Sequence, residues 1–308
     1  MIARALLETL TERLGATPTV IGALGGGSLA RAYALELAGT RMFLKTGEPA
    51  VAATFAGEAV GLAALRAAAT TLRVPEVLGW ATGAGGYLLL EWLERGPETH
   101  DYWDRLGQGL AALHRAAPLT TSTTTSTTST TTSMTSMTSA NFGFPRDNHI
   151  GSTPQRNRWT RAWPEFFAEH RLAPQVARAR AQGLWDRAWD PSLRRLLGGL
   201  ERWLPRMPTP SLVHGDLWSG NVLCTRAGAP ALFDPAAYYG DREVDLAMSE
   251  LFGGFDDRFY AAYREAWPLE PGYAARREIY NLYHAINHLN LFGRGYAGMV
   301  ARHLAAVS

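Results

Sequence analysis

The 308-residue sequence has only one cysteine, Cys224. A disulfide within the chain is therefore impossible, and a reducing compartment is the natural inference. The 30 basic and 28 acidic residues nearly balance, giving a formal charge of +2, so charge provides no argument for a nucleic-acid or membrane partner. No apolar run approaches the roughly 18 residues that a membrane span needs, and Glu8, Glu12 and Arg13 stand where a signal peptide would be apolar. We expect a cytoplasmic protein that binds neither nucleic acid nor membrane.

The most informative stretch runs from Ser211 to Phe255. A short apolar run leads into His214, Gly215 and Asp216, a second begins after Asn221, and a third ends at Asp234. This pattern predicts strand, loop, strand, turn and strand, with the three polar side chains at the strand ends. The alternative is that these residues only form turns and caps, which is their commonest role.

The chemistry of these side chains favours phosphoryl transfer. Magnesium prefers oxygen ligands, which Asn221 and Asp234 can supply. The transfer itself requires positioning, charge neutralisation and a group that accepts the proton of the attacking hydroxyl. We therefore predict Asp216 as the catalytic base and Asn221 with Asp234 as the metal ligands.

The N-terminal region contains the matching features of a nucleotide site. A predicted hairpin has the tip Gly25, Gly26, Gly27 and Ser28, where main-chain amides can approach phosphate closely. Lys45 ends the next predicted strand, and Glu58 lies in the helical stretch that follows. Taken alone, the glycines read as a flexible loop and the two charged residues as surface residues. Their order along the chain favours nucleotide binding.

The segments HGDLWSGN (214–221) and DPAAYYGDREVD (234–245) resemble the catalytic and metal-binding segments of protein-kinase-like enzymes, within them the aminoglycoside phosphotransferase and choline kinase group. Together with FGFPRDNHIGSTPQRNRWTRAWPEFF (142–167), they are similar to the fructosamine kinase (ketosamine-3-kinase) family. The resemblance implies a two-lobed α+β fold. Its N-terminal lobe, residues 1–94, would hold an antiparallel sheet, and residues 95–308 would form a mostly helical lobe.

The resemblance also implies an activity: transfer of phosphate from ATP, with Mg²⁺, to the 3-hydroxyl of a ketoamine. The ketoamine would be a fructosamine or ribulosamine, free or on a protein lysine, and the reaction would serve deglycation. Lys45 would contact the nucleotide phosphates and be held by Glu58. Glu91 and Leu93 would lie in the hinge strand, where main-chain groups bind adenine.

Three further residues receive predicted roles. Trp218 lies two residues after the predicted base and is expected to line the acceptor pocket. His284 and His288 share a helix face but no third metal ligand has suitable spacing, so they are interpreted as substrate-side or core histidines, with His288 the candidate for the substrate side. The resemblance to kinase-like folds implies that Asp245 braces the catalytic loop by accepting main-chain hydrogen bonds.

A Thr/Ser-rich insertion at residues 119–139 lies outside the resemblance and is predicted to be disordered, since it cannot bury enough apolar surface to order itself. The glycine loop reads GGGS where many relatives read GGGC, so we expect activity to be indifferent to mild oxidants. We expect a monomer or weak dimer.

Two alternative functions remain open from the sequence. One is a kinase for another small hydroxyl compound, such as an aminoglycoside or amino alcohol. The other is a nucleotide-binding regulator without turnover. Such a regulator would be expected to lack at least one of Lys45, Asp216, Asn221 and Asp234, and all four are present.

Overall fold

The computed structural model describes residues 2–25, 30–69, 71–116 and 141–307. Three of the predicted glycine-loop residues, Gly26, Gly27 and Ser28, lie outside the described residues, and so does the predicted disordered insertion at 119–139.

The first ninety residues form a five-stranded antiparallel sheet with two helices. The strand order is β1-β2-β3-β5-β4, and every neighbouring pair is antiparallel. The elements are α1 (Arg4–Leu14), β1 (Thr19–Leu24), β2 (Arg31–Leu37), β3 (Thr40–Thr46), α2 (Pro49–Ala68), β4 (Val77–Ala81) and β5 (Tyr87–Glu91). The predicted hairpin, the strand that carries Lys45, the helix that carries Glu58 and the strand that carries Glu91 are confirmed.

The rest of the described chain is mostly helical. It contains α3 (Tyr102–Arg115), α4 (Trp163–Phe167), α5 (Ala173–Ala181), α6 (Asp190–Leu197), α7 (Leu200–Trp203), α8 (Glu243–Leu251), α9 (Asp257–Ala266), α10 (Tyr273–Phe292) and α11 (Ala297–Ala306). A π-helical turn, Ala168–Leu172, joins α4 to α5.

Three two-stranded sheets interrupt these helices. They pair β6 (Asn148–Ile150) with β7 (Thr153–Gln155), β8 (Ser211–Val213) with β11 (Tyr238–Gly240), and β9 (Val222–Cys224) with β10 (Pro230–Leu232). The predicted alternation of strands around the polar trio is confirmed, although β8 takes its partner from beyond Asp234. Residues 150–155, IGSTPQ, form the end of β6, the turn and all of β7.

Apolar side chains divide between two clusters. The smaller one packs α1 against one face of the sheet, with Leu6 and Leu10 meeting Leu35, Leu44 and Leu89. The larger one starts on α2 and continues without a break through α3, α8 and α10. The sheet is therefore joined to the helical region through a shared core. The boundary near residue 94 stays a prediction.

Helix α2 is long and apolar enough to cross a membrane by length and composition alone. The statement that no stretch reaches such a length is wrong in that respect. Its apolar side chains, including Phe55, Leu62 and Leu65, are buried in the core of the protein, and Glu58 lies near its middle. This is the burial pattern of an enclosed helix between two layers.

Candidate active site

The loop after β8 carries the predicted base, and its path depends on one glycine. Gly215 has φ of +79°, a left-handed conformation. A Cβ atom at this position would lie 2.2 Å from the carbonyl oxygen of Ala236, so no larger residue fits. The tight turn brings Asp216 out of the sheet next to the chain that follows Asp234.

The buried carboxylate of Asp245 fixes this loop. Its oxygens accept hydrogen bonds from the main-chain N–H of His214 at 2.6 Å and of Gly215 at 2.9 Å. The ring nitrogen Nε2 of His114 lies 3.1 Å from the same carboxylate. Burial opposes ionisation, but the His114 hydrogen bond and the other partners outweigh it and lower the pKa of Asp245. The predicted brace is confirmed, and His114 is part of it.

Asp216 is half-buried and hydrogen-bonded to the second member of the trio. Asn221 donates through Nδ2 to the main-chain oxygen of Asp216 at 2.9 Å and to its Oδ2 at 3.3 Å. Burial, with smaller contributions from the charges of Asp234 and Asp245, raises the pKa of Asp216 to about 7, against the opposing effect of the Asn221 hydrogen bond. A carboxylate with this pKa is matched to accepting a proton near neutral pH.

Asp234 and Lys45 meet in the cleft between the sheet and the helical region. Lys45 is the only lysine in the sequence. Its Nζ donates to Oε1 of Glu58 at 2.8 Å and to Oδ1 of Asp234 at 2.5 Å. Burial alone would lower the pKa of Lys45, but the two carboxylates outweigh it and raise the pKa. Burial also raises the pKa of Glu58, to about 7, against the effect of Lys45. Lys45 therefore stays protonated in this site.

The side chains around Asp234 are suited to a hard divalent cation. Asp234 itself has φ of +57°, and its side chain is 40% exposed. Asn221 makes its hydrogen bonds through Nδ2, and its Oδ1 accepts none from the described residues. The Asn221 Oδ1 is thus free to bind a cation, whereas the Asp234 Oδ1 accepts from Lys45 and would have to leave the lysine to do so. No cluster of three or more His, Cys, Asp or Glu ligands exists among the described residues, so these two ligands would need phosphate or water to complete the shell.

The predicted hinge residues lie at the end of β5. The Glu91 carboxylate pairs with Arg73 and with Arg66. The main-chain N–H of Glu91 donates to the carbonyl oxygen of Glu76 at 2.9 Å. Neither the carboxylate nor the N–H of Glu91 is therefore available to a nucleotide in this arrangement. Leu93 is half-buried two residues farther on. Adenine binding here stays a prediction, as does phosphate binding by Gly25, which follows the end of β1 and has open space around its Cα.

The predicted acceptor side is aromatic. Trp218 is 40% exposed, and the loop after α8 reaches its neighbour, since a Cβ on Gly254 would lie 2.6 Å from Ser219 Oγ. That loop also carries Phe252, whose ring centroid lies 4.8 Å from that of His288. The Nδ1–H of His288 donates to the main-chain carbonyl oxygen of His284 on the same helix at 2.8 Å. A role for His288 with substrate stays a prediction.

Sequence reasoning missed the buried polar contacts that hold these elements in place. The β6–β7 hairpin carries two fully buried amides, Asn148 and Gln155, and Arg171 lies buried behind them. The only sequence signal was the alternation of residues on either side of Gly151 and Ser152, which is typical of a hairpin. Arg66 and Arg73, which bind Glu91, had no sequence signal because arginines are ordinarily surface residues.

Comparison with known proteins agrees with this geometry. The model of the fructosamine kinase family matches residues 2–307. The chain belongs to the fructosamine kinase family. It is 47% identical to a probable ketoamine kinase of Synechocystis, over 89% of this chain and 85% of the relative. It is 37% identical to the chloroplastic protein-ribulosamine 3-kinase of Arabidopsis thaliana, over 93% and 82% of the two chains.

Solved structures confirm the predicted kinase-like fold. A candidate fructosamine-3-kinase from Thermobifida fusca superimposes with a TM-score of 0.84 at 32% identity, covering 99% of both chains. An aminoglycoside phosphotransferase, solved in ternary complex with ADP and hygromycin B, has a TM-score of 0.62 at 19% identity, over 98% of this chain and 96% of that one. The second likeness concerns the fold alone.

Proposed function

We propose that this protein is an ATP-dependent ketoamine 3-kinase that uses Mg²⁺. The convergence of Lys45, Glu58, Asp216, Asn221 and Asp234 in one cleft carries the proposal, because these residues come from distant parts of the sequence yet contact one another in series. Membership of the fructosamine kinase family supplies the substrate class. The Arabidopsis relative is named a protein-ribulosamine 3-kinase, which makes ribulose adducts of lysine the first acceptors to test.

The proposed reaction is a single displacement. The acceptor's 3-hydroxyl oxygen forms a bond to the γ-phosphorus, the bond from that phosphorus to the bridging oxygen breaks, and ADP leaves. Asp216 accepts the hydroxyl proton, for which its raised pKa suits it. Lys45 neutralises phosphate charge. A magnesium ion bound by Asn221 and Asp234 would supply further charge neutralisation when present.

The ion pairs of Lys45 fit this role. Lys45 forms ion pairs with both Glu58 and Asp234. Glu58 is 14% exposed and Asp234 40% exposed, so Glu58 is the fixed partner and Asp234 the one that faces the cleft. We propose that Lys45 keeps its contact with Glu58 when phosphate binds and that Asp234 turns from the lysine to the metal.

We propose that the acceptor lies against Trp218, with the His288 surface beyond it. Trp218 stands two residues from Asp216 and is exposed, as a side chain that stacks on a sugar should be. The partner would be a free or protein-bound ketoamine, and the protein would act as a monomer or weak dimer. Nothing in the site favours an aminoglycoside acceptor, since the described carboxylates around Asp216 already have partners.

The test is a panel of acceptors with magnesium ATP: ribulose-lysine, fructose-lysine, an aminoglycoside and choline. We expect turnover of the ketoamines alone. Asp216→Asn should lower the rate by about 10²- to 10⁴-fold, as loss of a general base does. Asp190→Asn, the same change at a residue that pairs with Arg180 and Trp185 on the helical surface, should leave the rate unchanged. Turnover of choline or the aminoglycoside would instead place the chain with the other small-molecule kinases, and nucleotide binding without turnover would make it a regulator.

A further inference from the structure

The main chain after Asp234 is held by side chains that belong to a distant hairpin. Gln155 donates through Nε2 to the carbonyl oxygen of Ala236 at 3.0 Å. Asn148 donates through Nδ2 to the next carbonyl, that of Ala237, at 2.8 Å. Residues 236 and 237 follow the proposed metal ligand by two and three positions, so these bonds fix the chain immediately downstream of Asp234.

The hairpin geometry explains why these two amides act together. Asn148 on β6 and Gln155 on β7 are directly opposite each other in the antiparallel register. Both face inward and both are 2% exposed. Gln155 also donates to Asn148 Oδ1 at 2.8 Å, so each amide orients the other. Side chains at facing positions of a strand pair are close enough for such contacts.

Further buried groups fix the orientation of these amides. The hydroxyl of Tyr283 on α10 donates to Gln155 Oε1 at 2.7 Å. Asn157 donates to Asn148 Oδ1 at 2.9 Å and accepts from Arg171 at 2.8 Å. The Gln155 amide thus has its oxygen and both of its donated bonds satisfied. Because the Gln155 amide is fully paired within this buried network, removing it leaves costly unpaired groups on its neighbours.

Asp234 needs such support because of its main-chain conformation. A non-glycine residue at φ of +57° is strained by on the order of 1 kcal/mol and persists only where the surroundings impose it. Upstream, Phe233 is held through its carbonyl by His214 at 2.9 Å. Downstream, the N–H of Ala236 donates a hydrogen bond to the His214 carbonyl oxygen, and the side chains of Gln155 and Asn148 donate to the carbonyl oxygens of Ala236 and Ala237.

We infer that Gln155 is a positioning residue, which, with Asn148, holds Asp234 in the backbone conformation needed to bind the catalytic metal. The inference rests on the proposed function for its metal site, but its test needs no acceptor. Groups that orient a metal ligand affect metal affinity by about 10- to 100-fold when they are removed. Gln155→Leu keeps the size of the side chain and removes both donated bonds, so it should weaken metal binding within that range.

Gln175 provides a matched control. It is the same residue type and 2% exposed. Its side-chain amide forms hydrogen bonds with Asn287 and Asn290 on α10 and with the Tyr283 hydroxyl. None of its hydrogen bonds within the described chain reaches the segment after Asp234. Gln175→Leu therefore imposes a comparable loss of buried hydrogen bonds without touching the proposed metal ligand.

The experiment is an equilibrium titration of Mn²⁺, a paramagnetic substitute for Mg²⁺ with similar oxygen preference, in the presence of a non-hydrolysable ATP analogue. Thermal unfolding is measured on the same samples without metal. We expect Gln155→Leu and Gln175→Leu to lower the unfolding temperature to a similar degree. Only Gln155→Leu should weaken Mn²⁺ binding, by about 10- to 100-fold.

A milder variant covers the case in which Gln155→Leu does not fold. Tyr283→Phe removes only the hydroxyl that orients Gln155 and should weaken Mn²⁺ binding by about threefold or more. The inference is overturned if Mn²⁺ affinity in the folded variants stays within about twofold of wild type, or if Gln175→Leu weakens it equally. If the wild type does not phosphorylate ketoamines, the proposed function is overturned, but the Mn²⁺ titration still tests the role of Gln155.

Discussion

Replacing Asp245 by Asn tests whether the buried carboxylate holds the catalytic loop. The substitution preserves shape but removes the charge, and it places an N–H₂ group where one carboxylate oxygen accepted a bond. At least one of the two main-chain N–H groups, of His214 or of Gly215, then loses its partner. The perturbation is confined to a side chain that is 1% exposed.

The size of the effect follows from these contacts. A hydrogen bond to a charged group contributes about 1.5–3 kcal/mol, and a buried donor left unpaired costs about 1–3 kcal/mol. We therefore expect Asp245→Asn to lower the free energy of unfolding by roughly 3–5 kcal/mol at neutral pH. The rate should also fall, since a displacement of about 1 Å of the loop that carries Asp216 can reduce turnover by about 100-fold.

The pH dependence provides a second signature. The pKa of Asp245 is lowered in the folded protein, so its contribution is fully present above the unfolded value of about 3.9 and is lost as the pH falls through the folded value. The stability difference between wild type and Asp245→Asn should be constant from neutral pH down to about pH 4 and shrink below it.

Asp241 is the matched control, four residues earlier and 4% exposed. Burial, together with the charge of Glu243, raises the pKa of Asp241 to about 6, so its carboxylate is unfavourable at neutral pH. Asp241 also accepts hydrogen bonds from the Glu243 N–H and the Tyr280 hydroxyl, but because its charge is unfavourable at this position, Asp241→Asn should lower the free energy of unfolding by less than Asp245→Asn does. Urea unfolding followed by tryptophan fluorescence measures both variants. A loss below about 1 kcal/mol for Asp245→Asn, or an equal loss for Asp241→Asn, would refute the reasoning.

Three other predictions concern separate parts of the molecule. His284 is buried, and burial lowers its pKa to about 3. Between about pH 6 and pH 4 the unfolded chain therefore binds a proton at this residue and the folded chain does not. In denaturant titrations over this range, the free energy of unfolding of wild type should fall by about 1.4 kcal/mol per pH unit relative to that of His284→Leu. A Cβ on Gly57 would lie 2.8 Å from Asn148 Cβ, so Gly57→Ala should destabilise the fold by about 1–3 kcal/mol. A Cβ on Gly298 in α11 would have nothing within 4 Å, so Gly298→Ala should stabilise the fold slightly. Equal unfolding midpoints for the two variants would contradict this. An amine-reactive acyl phosphate derivative of ATP should label Lys45, the only lysine, and excess ATP should protect it, as peptide mass spectrometry would show; labelling unaffected by ATP would argue against nucleotide at this lysine.

The sequence was informative wherever a local pattern determines local structure. Short apolar runs between turn residues located the hairpin and the following strand of the main sheet. The polar trio was visible because Asp216 and Asp234 follow short apolar runs and Asn221 precedes one. The role of Asp245 as a brace was implied by the resemblance to kinase-like folds. These features depend on neighbours within about ten residues of one another.

Contacts made between distant segments could not be predicted in this way. The pairing of β8 with β11, the two amides that reach the chain after Asp234, and the arginines around Glu91 depend on tertiary packing. Buried Gln and Asn residues look like loop residues in a sequence, because their burial is made acceptable only by partners elsewhere. Arg171, which stacks 3.9 Å from the Tyr238 ring centre, is hidden in the same way.

The most direct test of the account is to identify the product formed from magnesium ATP and ribulose-lysine. Phosphorus NMR and mass spectrometry of the mixture should show one phosphate on the sugar, at its 3-hydroxyl, formed in equal amount with ADP, and neither product with Asp216→Asn. ADP released without a phosphorylated ketoamine, or phosphate on the sugar at an undiminished rate in Asp216→Asn, would contradict it.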